Sequence, residues 1–318
     1  QNRNLIGVRD AERRLQTLMP SSSMLTTAQD IARFYSAISG KGKLNGVPWL
    51  PEDVINEVTT LRAEGPDAAS GNYSRVGLGV RLPSEPPNQY ASTNYADTVG
   101  HGGAATSTGW ASLDQDISFS FITNRLQKEL PNKMRLNAMS QSVREALGAI
   151  SNNATGATPN IKTAEISTPT SRPERIWPAK EWQLAEPEEL GFDRTKLAEA
   201  ARFQSEISEN QPYRILIARH GKIAAEWTFR SDPTAQAPQA SASKSTFSSV
   251  LGIAIQEGVI KSENDRVADY YPEMLDIAPG QGPKEGRHAF PENSEITFRQ
   301  LIGNTSGYLK PGEPAGKV

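Results

Sequence analysis

Ser241-Ala242-Ser243-Lys244-Ser245-Thr246-Phe247 opens an apolar stretch of the 318-residue chain. The apolar residues that follow recur at the spacing of a helix, and Gly258 stands where a left-handed C-terminal cap would end it. The pattern predicts a helix that begins near Ser241 and ends near Glu257. Its periodic apolar residues are Phe247, Val250, Leu251, Ala254 and Ile255.

Ser241 and Lys244 lie one turn apart on this predicted helix, so their side chains share a face. At that separation the Lys244 amine can take the hydroxyl proton while Ser241 attacks a carbonyl carbon. Free backbone N–H groups at a helix start are available to stabilise the developing oxyanion. The alternative is a solvated helix start, because Ser-X-X-Lys occurs by chance about once in a chain of this length.

Composition excludes several classes of function. The 34 basic and 36 acidic residues are interspersed, which argues against a nucleic-acid partner, and no apolar run approaches a membrane span. The sequence has no cysteine, and its three histidines, His101, His220 and His288, show no metal-ligand spacing. We expect neither metal nor cofactor. The absence of cysteine and of a signal peptide favours the mature form of an exported protein or a fragment, and the oligomeric state is open.

Residues 1–150 read as a mixed α/β segment. A capping-box-like start at Thr26-Thr27-Ala28-Gln29-Asp30 leads into Ile31, Phe34, Tyr35 and Ile38 at helical spacing. Two strands joined by Asp114-Gln115-Asp116 predict a hairpin that carries Trp110 as a core residue. The other predicted elements are a helix from Pro51, turns over 64–74, a strand over 76–82, a strand over 99–104, hairpin strands over 108–113 and 117–124, and a helix over 131–149 with Met134 among its apolar positions.

Residues 151–176 change in character and predict a linker, because they combine Asn, Thr, Ser, Pro and Ala without periodic content. Beyond them Asp193 is a predicted helix N-cap. Strands over 213–218 and 223–229 predict a second hairpin, whose turn carries His220 at the surface. A short helix over 296–302 precedes Gly303-Asn304-Thr305-Ser306-Gly307, and His288 lies in a loop where we expect solvation.

Several of these features occur together: a hairpin with a basic turn, the Ser-X-X-Lys helix, Leu301-Ile302-Gly303-Asn304-Thr305-Ser306-Gly307, and a His101-Gly102-Gly103 strand. In combination they resemble the serine beta-lactamase-like superfamily, which includes class C beta-lactamases, penicillin-binding DD-peptidases and related serine esterases. The resemblance implies an α/β fold of α+β type, in which helices flank an antiparallel sheet on both faces. Most of the family's all-helical subdomain is expected to be missing.

The resemblance also implies a site. Ser241 would be the nucleophile and Lys244 its base, with His101, Gly102, Gly103 and Asn304 on the substrate and oxyanion side. His101 is expected to donate a hydrogen bond near the leaving group. The alternatives are a glycine turn with a solvated histidine and, for Asn304, a structural turn.

The implied function is a serine hydrolase that forms an acyl-enzyme from a small-molecule ester or amide. The third motif reads His-Gly-Gly rather than Lys-Thr-Gly, which favours an esterase-like activity. The alternative is a non-catalytic binding or sensor domain, or an inactive fragment of a tandem hydrolase. Lys244 can act as a base only when neutral, and from a pKa near 10.4 this costs about 4.6 kcal/mol at pH 7. A helix dipole supplies at most about 2 kcal/mol, so burial or a neighbouring positive charge must supply the rest.

The order of the motifs departs from the family's. Residues 1–150 resemble the C-terminal half of such a domain, and residues 177–318 resemble its N-terminal half. Either the chain is circularly permuted through the 151–176 linker, or it is a fragment that spans two tandem domains. The family's Tyr-X-Asn motif does not occur in the sequence, and this absence favours the fragment. Because each half alone would leave a sheet face and edge exposed, we expect the two halves to pair.

Overall fold

The computed structural model describes residues 24–44, 46–66, 71, 73–84, 89–90, 95–103, 107–123, 129–148, 175–178, 180–275 and 291–307. The helices are α1 (Ala28–Ser39), α2 (Glu52–Thr59), α3 (Glu129–Ala146), α4 (Arg194–Ile207), α5 (Ser243–Gln256) and α6 (Phe298–Ile302). The strands are β1 (Leu25–Thr26), β2 (Lys43–Leu44), β3 (Val47–Pro48), β4 (Ala63–Pro66), β5 (Tyr73–Val76), β6 (Thr98–Gly102), β7 (Ser107–Ser112), β8 (Ile117–Thr123), β9 (Gln183–Leu184), β10 (Tyr213–Arg219), β11 (Lys222–Phe229) and β12 (Ala237–Pro238).

Six strands form one sheet in the order β6-β7-β8-β10-β11-β9. Neighbouring strands run antiparallel except β9 and β11, which pair in parallel. Strand β8 pairs with β10 along its length, from Thr123 opposite Tyr213 to Ile117 opposite Arg219. The sheet therefore takes strands from both sides of the predicted linker.

Side chains alternate between the two faces of this sheet, as the period of a strand requires. Trp110, Phe119 and Phe121 are fully buried in the core beneath α3 and α4. Ala111 and Ile122, one residue along the same strands, are buried in the core beneath α1. The predicted fold class, an antiparallel sheet with helices on both faces, is confirmed apart from the parallel pair at one edge.

Three helix ends lie where capping residues in the sequence predict them. The Thr27 hydroxyl accepts a hydrogen bond from the Asp30 amide at 3.1 Å, and the Asp193 carboxylate caps α4 in the same way. Gly258 adopts φ +72° after α5, the left-handed conformation that ends a helix. These caps were predicted because each depends only on residues within one turn of it.

Two predictions for residues 64–82 are wrong. The stretch predicted as turns contains the paired strands β4 and β5. The stretch predicted as one strand leaves regular pairing after Val76, bends over residues 78–80, and then forms isolated bridges from Arg81 to Val76 and to Gly100. Gly79 has φ +72°, which a continuous strand does not contain.

His220 is buried rather than exposed on the surface of the hairpin turn. Its Nδ1 atom is 2.9 Å from Asp116 Oδ2, and Asp116 also forms an ion pair with Arg175. The Ile176 amide donates to the His220 carbonyl at 3.0 Å. The last two residues of the predicted linker are therefore bound to the sheet, whereas residues 151–174 lie outside the described residues, as does His288.

Met134 was predicted to lie on the apolar face of its helix, but 53% of its surface is exposed. Leu136, Met139 and Val143 on the same helix are fully buried. The apolar face of α3 therefore follows these three residues, and Met134 lies beyond its border.

Candidate functional site

Ser241 lies in a one-turn 3₁₀ helix, Ala240–Ala242, just ahead of α5. The α-helix itself begins at Ser243, two residues later than the sequence pattern predicts. Ala240 has φ +46°, a conformation that is uncommon for a residue with a side chain. The segment around Ser241 is thus held in a constrained shape at the entry to the helix.

The residues before Ser241 are fixed by Gln239, which is fully buried. The Gln239 amide donates to the Met24 carbonyl at 3.0 Å, and the Gln239 carbonyl accepts from the Ser107 hydroxyl at 2.9 Å. Strand β12, which precedes Gln239, pairs with β1. Contacts with residues 24–26 and 107 therefore set the position of the Ser241 segment.

Ser241 and Lys244 face each other, as the Ser-X-X-Lys spacing predicts. Lys244 Nζ donates a hydrogen bond to Ser241 Oγ at 2.8 Å. Burial lowers the pKa of Lys244 below its ordinary value, and the charge of Arg81 lowers it further. Both effects favour the neutral amine, the form that can accept a proton.

Arg81 supplies the neighbouring positive charge, and its role could not be read from its position in the sequence. Gly79 allows this placement, because a Cβ atom there would lie 2.2 Å from the Ser248 side chain. The loop that contains Gly79 and Arg81 therefore packs closely against α5. Arg81 then pairs with Gly100 of β6, with its amide donating to the Gly100 carbonyl at 2.7 Å.

His101 is buried near Arg81 and Lys244. Burial, then the charges of Arg81 and Lys244, lower the pKa of His101 to about 3. The ring is therefore neutral near pH 7. Its Nδ1–H donates to the Gly102 carbonyl at 2.9 Å. In that tautomer Nε2 can only accept a hydrogen bond, whereas the sequence-based expectation was a donor.

Gly102 and Gly103 allow close approach of other groups, as predicted for this strand. A Cβ atom on Gly103 would lie 2.2 Å from the Gln239 carbonyl oxygen and 2.5 Å from Ser107 Oγ. A Cβ atom on Gly102 would overlap the flexible Gln89 side chain. Gly103 thus lets the end of β6 pack directly against the segment that carries Ser241.

A cavity of about 560 Å³ opens beside these groups. Its polar lining residues are Arg81, His101, Lys244, Ser248 and Asn304, whereas Ser241, which contacts Lys244, does not line it. Asn304 is exposed and has φ +56°. The remaining lining is mainly apolar and comes from the loop before β6, from α5 and from α6. The structure therefore brings His101, Lys244 and Asn304 to one cavity, from both sides of the predicted linker.

A tyrosine of α1 also contacts α5. The Tyr35 hydroxyl donates to Ser245 Oγ at 3.4 Å, and burial raises the pKa of Tyr35. Tyr35 is therefore neutral at physiological pH. It joins α1 to α5 and does not belong to a Tyr-X-Asn motif.

Two features are absent from the described part of the chain. Across those residues, no cluster of three or more His, Cys, Asp or Glu side chains is arranged to hold a metal ion. None of the helices there combines the length and the apolar character needed to cross a bilayer.

The mixed α/β fold is consistent with the serine beta-lactamase-like superfamily. Residues 2–141, which include His101, match the Beta-lactamase family model. The match covers less than half of the chain, and Ser241 and Lys244 lie outside it. No curated protein matches the sequence. The resemblance read from the sequence motifs is confirmed at the level of the superfamily.

Proposed function

We propose that this chain is a serine hydrolase that cleaves small-molecule esters or amides through an acyl-enzyme. The observation that carries the proposal is the 2.8 Å hydrogen bond between Lys244 Nζ and Ser241 Oγ, in a setting that lowers the pKa of Lys244. Nucleophile and base side chains within hydrogen-bond reach are the signature of an activated nucleophile.

In the proposed reaction neutral Lys244 takes the Ser241 proton as Oγ attacks the carbonyl carbon. The bond from Oγ to carbon forms, the ester C–O bond breaks, and the leaving alcohol receives the proton from Lys244. Water then attacks the acyl-enzyme, with Lys244 accepting its proton. The carboxylic acid leaves and the proton returns to Ser241, which restores the starting state.

The oxyanion must be stabilised while it forms. Backbone N–H groups at the entry to α5 and the guanidinium of Arg81 are the described groups suited to this task. His101, neutral and protonated at Nδ1, can accept a hydrogen bond from a substrate N–H or O–H.

We further propose that residues 1–150 and 177–318 are complementary halves of one domain. The pairing of β8 with β10 and the shared cavity that joins His101 to Lys244 support this arrangement. A permuted chain and a fragment of tandem domains would both produce it. A permuted chain would use Ser241 and His101 in one site and act without added sequence, whereas in a fragment of tandem domains the two residues would belong to the sites of different domains.

A second candidate is a binding or sensor domain that does not turn over. The observation that favours it is the absence of a Tyr-X-Asn motif, since in the family that tyrosine shares the proton transfers. Under this alternative Ser241 is acylated slowly or not at all. Turnover of an ester substrate distinguishes the two candidates, because only the hydrolase would show it.

Hydrolysis of p-nitrophenyl acetate tests the proposal directly. We expect turnover by the wild-type chain and its loss in Ser241→Ala. Ser249→Ala is the matched control, because Ser249 lies on the same helix and its hydroxyl bonds only within that helix to the Thr246 carbonyl. Equal rates in wild type and Ser241→Ala would reject Ser241 as the nucleophile.

A further inference from the structure

The large cavity beside Lys244 has a polar end and an apolar end. Arg81, His101 and Lys244 form the polar end, and Ser248 and Asn304 are the other polar residues of the lining. Leu251 and Ala254 of α5 continue the lining away from Lys244 along the same helix. Nothing in the acyl-transfer chemistry itself requires this apolar extension.

We propose that the apolar part of the cavity binds the acyl chain of the substrate, so that the preferred substrates are esters of medium-length, unbranched carboxylic acids. This inference rests on the proposed function. The carbonyl carbon must approach Ser241, whose hydroxyl lies 2.8 Å from Lys244 Nζ, and Lys244 lines the cavity. An apolar chain that starts at this carbonyl would continue into the apolar part of the cavity.

A chemical argument favours the acyl chain over the alcohol as the group that occupies the apolar part of the cavity. The alcohol leaves when the acyl-enzyme forms, whereas the acyl group stays bonded to Ser241 until water attacks. An apolar site therefore stabilises the group that stays bonded for longer.

The length of the cavity sets the expected chain length. Lys244 and Ala254 both line it and are separated by about 15 Å along the helix axis, given a rise of about 1.5 Å per residue. A saturated chain of about eight to ten carbons, with bonds of about 1.5 Å, fits within this distance. The cavity volume of about 560 Å³ is also in the range of small-molecule sites.

The first test measures kcat/KM for p-nitrophenyl esters from acetate to decanoate. Full burial of each methylene group would raise the rate about fourfold, and partial burial in an open cavity less. We expect an increase of about tenfold or more from acetate to octanoate, with a plateau near decanoate. A flat or falling series, or an increase seen only when the alcohol of an acetate ester is lengthened, would overturn the inference.

Two tryptophan variants test whether the preference for long acyl chains arises in the apolar part of the cavity. Ala254→Trp fills the far end of the cavity, and we expect the octanoate-to-acetate ratio of kcat/KM to fall about tenfold. Gln256→Trp is the matched control, because Gln256 is exposed on the same helix and does not line the cavity. An Ala254→Trp variant with the wild-type ratio would place the chain elsewhere.

Binding of the product acids separates this inference from the proposed function. Calorimetry of octanoate and acetate with the wild-type chain needs no turnover, and the carboxylate mimics the charge that faces Arg81. We expect octanoate to bind about tenfold or more tightly than acetate, and the advantage to be lost in Ala254→Trp. Equal affinities would overturn the acyl-chain site even if the chain hydrolyses acetate esters. A clear preference in a chain without turnover would support the site while rejecting the enzyme.

Discussion

Replacing Gly103 with alanine should displace Ser241 indirectly, because the new methyl group would contact Gln239 and Ser107. The new Cβ atom would lie 2.2 Å from the Gln239 carbonyl oxygen, whereas ordinary contact begins at 3.4 Å. Ser107 can rotate away, but Gln239 is fully buried and bonded through its backbone. The Gln239 backbone must therefore move by roughly 1 Å, and misplacement of this size near a catalytic group costs about 100-fold in rate.

The assay is kcat/KM for p-nitrophenyl acetate together with the free energy of unfolding. We expect Gly103→Ala to lower kcat/KM about 100-fold and to cost about 1 to 3 kcal/mol of stability through overpacking. Gly252→Ala is the control, because its Cβ atom would lie 3.3 Å from the movable end of Leu50 and alanine favours the helix by about 0.5 to 1 kcal/mol. If Gly103→Ala keeps wild-type turnover and stability, the reasoning that Gly103 positions Ser241 is refuted.

Two other substitutions test the electrostatics of the chain. Arg81→Gln removes a charge that lowers the pKa of Lys244, so this pKa should rise. Since neutral Lys244 is the active form, the rise of rate with pH should shift to higher pH and activity at pH 7 should fall; an unchanged pH–rate profile would show that Arg81 does not act on Lys244. Asp116→Ala breaks the ion pair with Arg175 and should cost about 2 kcal/mol in a denaturant titration, less than a fully buried pair would because both side chains are partly exposed. Asp114→Ala, at an exposed neighbouring position, should stay within about 0.5 kcal/mol, and equal losses in both variants would argue against a special role for Asp116.

Elements fixed by neighbouring residues could be predicted from the sequence. Thr27 and Asp193 each cap a helix through residues within one turn, and the hairpin around Asp114-Gln115-Asp116 joins adjacent strands. Ser241 and Lys244 met as predicted, because their contact depends only on three intervening peptide units of local helical backbone. The local start of α5 was misplaced by two residues, since a 3₁₀ turn precedes it.

Features that depend on distant contacts could not be predicted. Arg81 reaches Lys244 only because Gly79 packs against Ser248, which is far along the chain. His220 is buried because Asp116, 104 residues away, accepts its hydrogen bond. The tautomer of His101 depends instead on an adjacent residue, since the Gly102 carbonyl accepts from Nδ1, but this contact requires a backbone conformation that the sequence pattern does not specify. No spacing in the sequence encodes these contacts.

The most direct test of the central claim is to locate the site of covalent modification. The wild-type chain would be treated with an alkyl fluorophosphonate, digested with trypsin and fragmented by mass spectrometry. The peptide that ends at Lys244 contains both Ser241 and Ser243, so the fragment ions distinguish the two hydroxyls. We predict one adduct, on Ser241, which forms faster as pH rises and is lost in Lys244→Met. An adduct on Ser243, or no adduct on this peptide, would contradict the account.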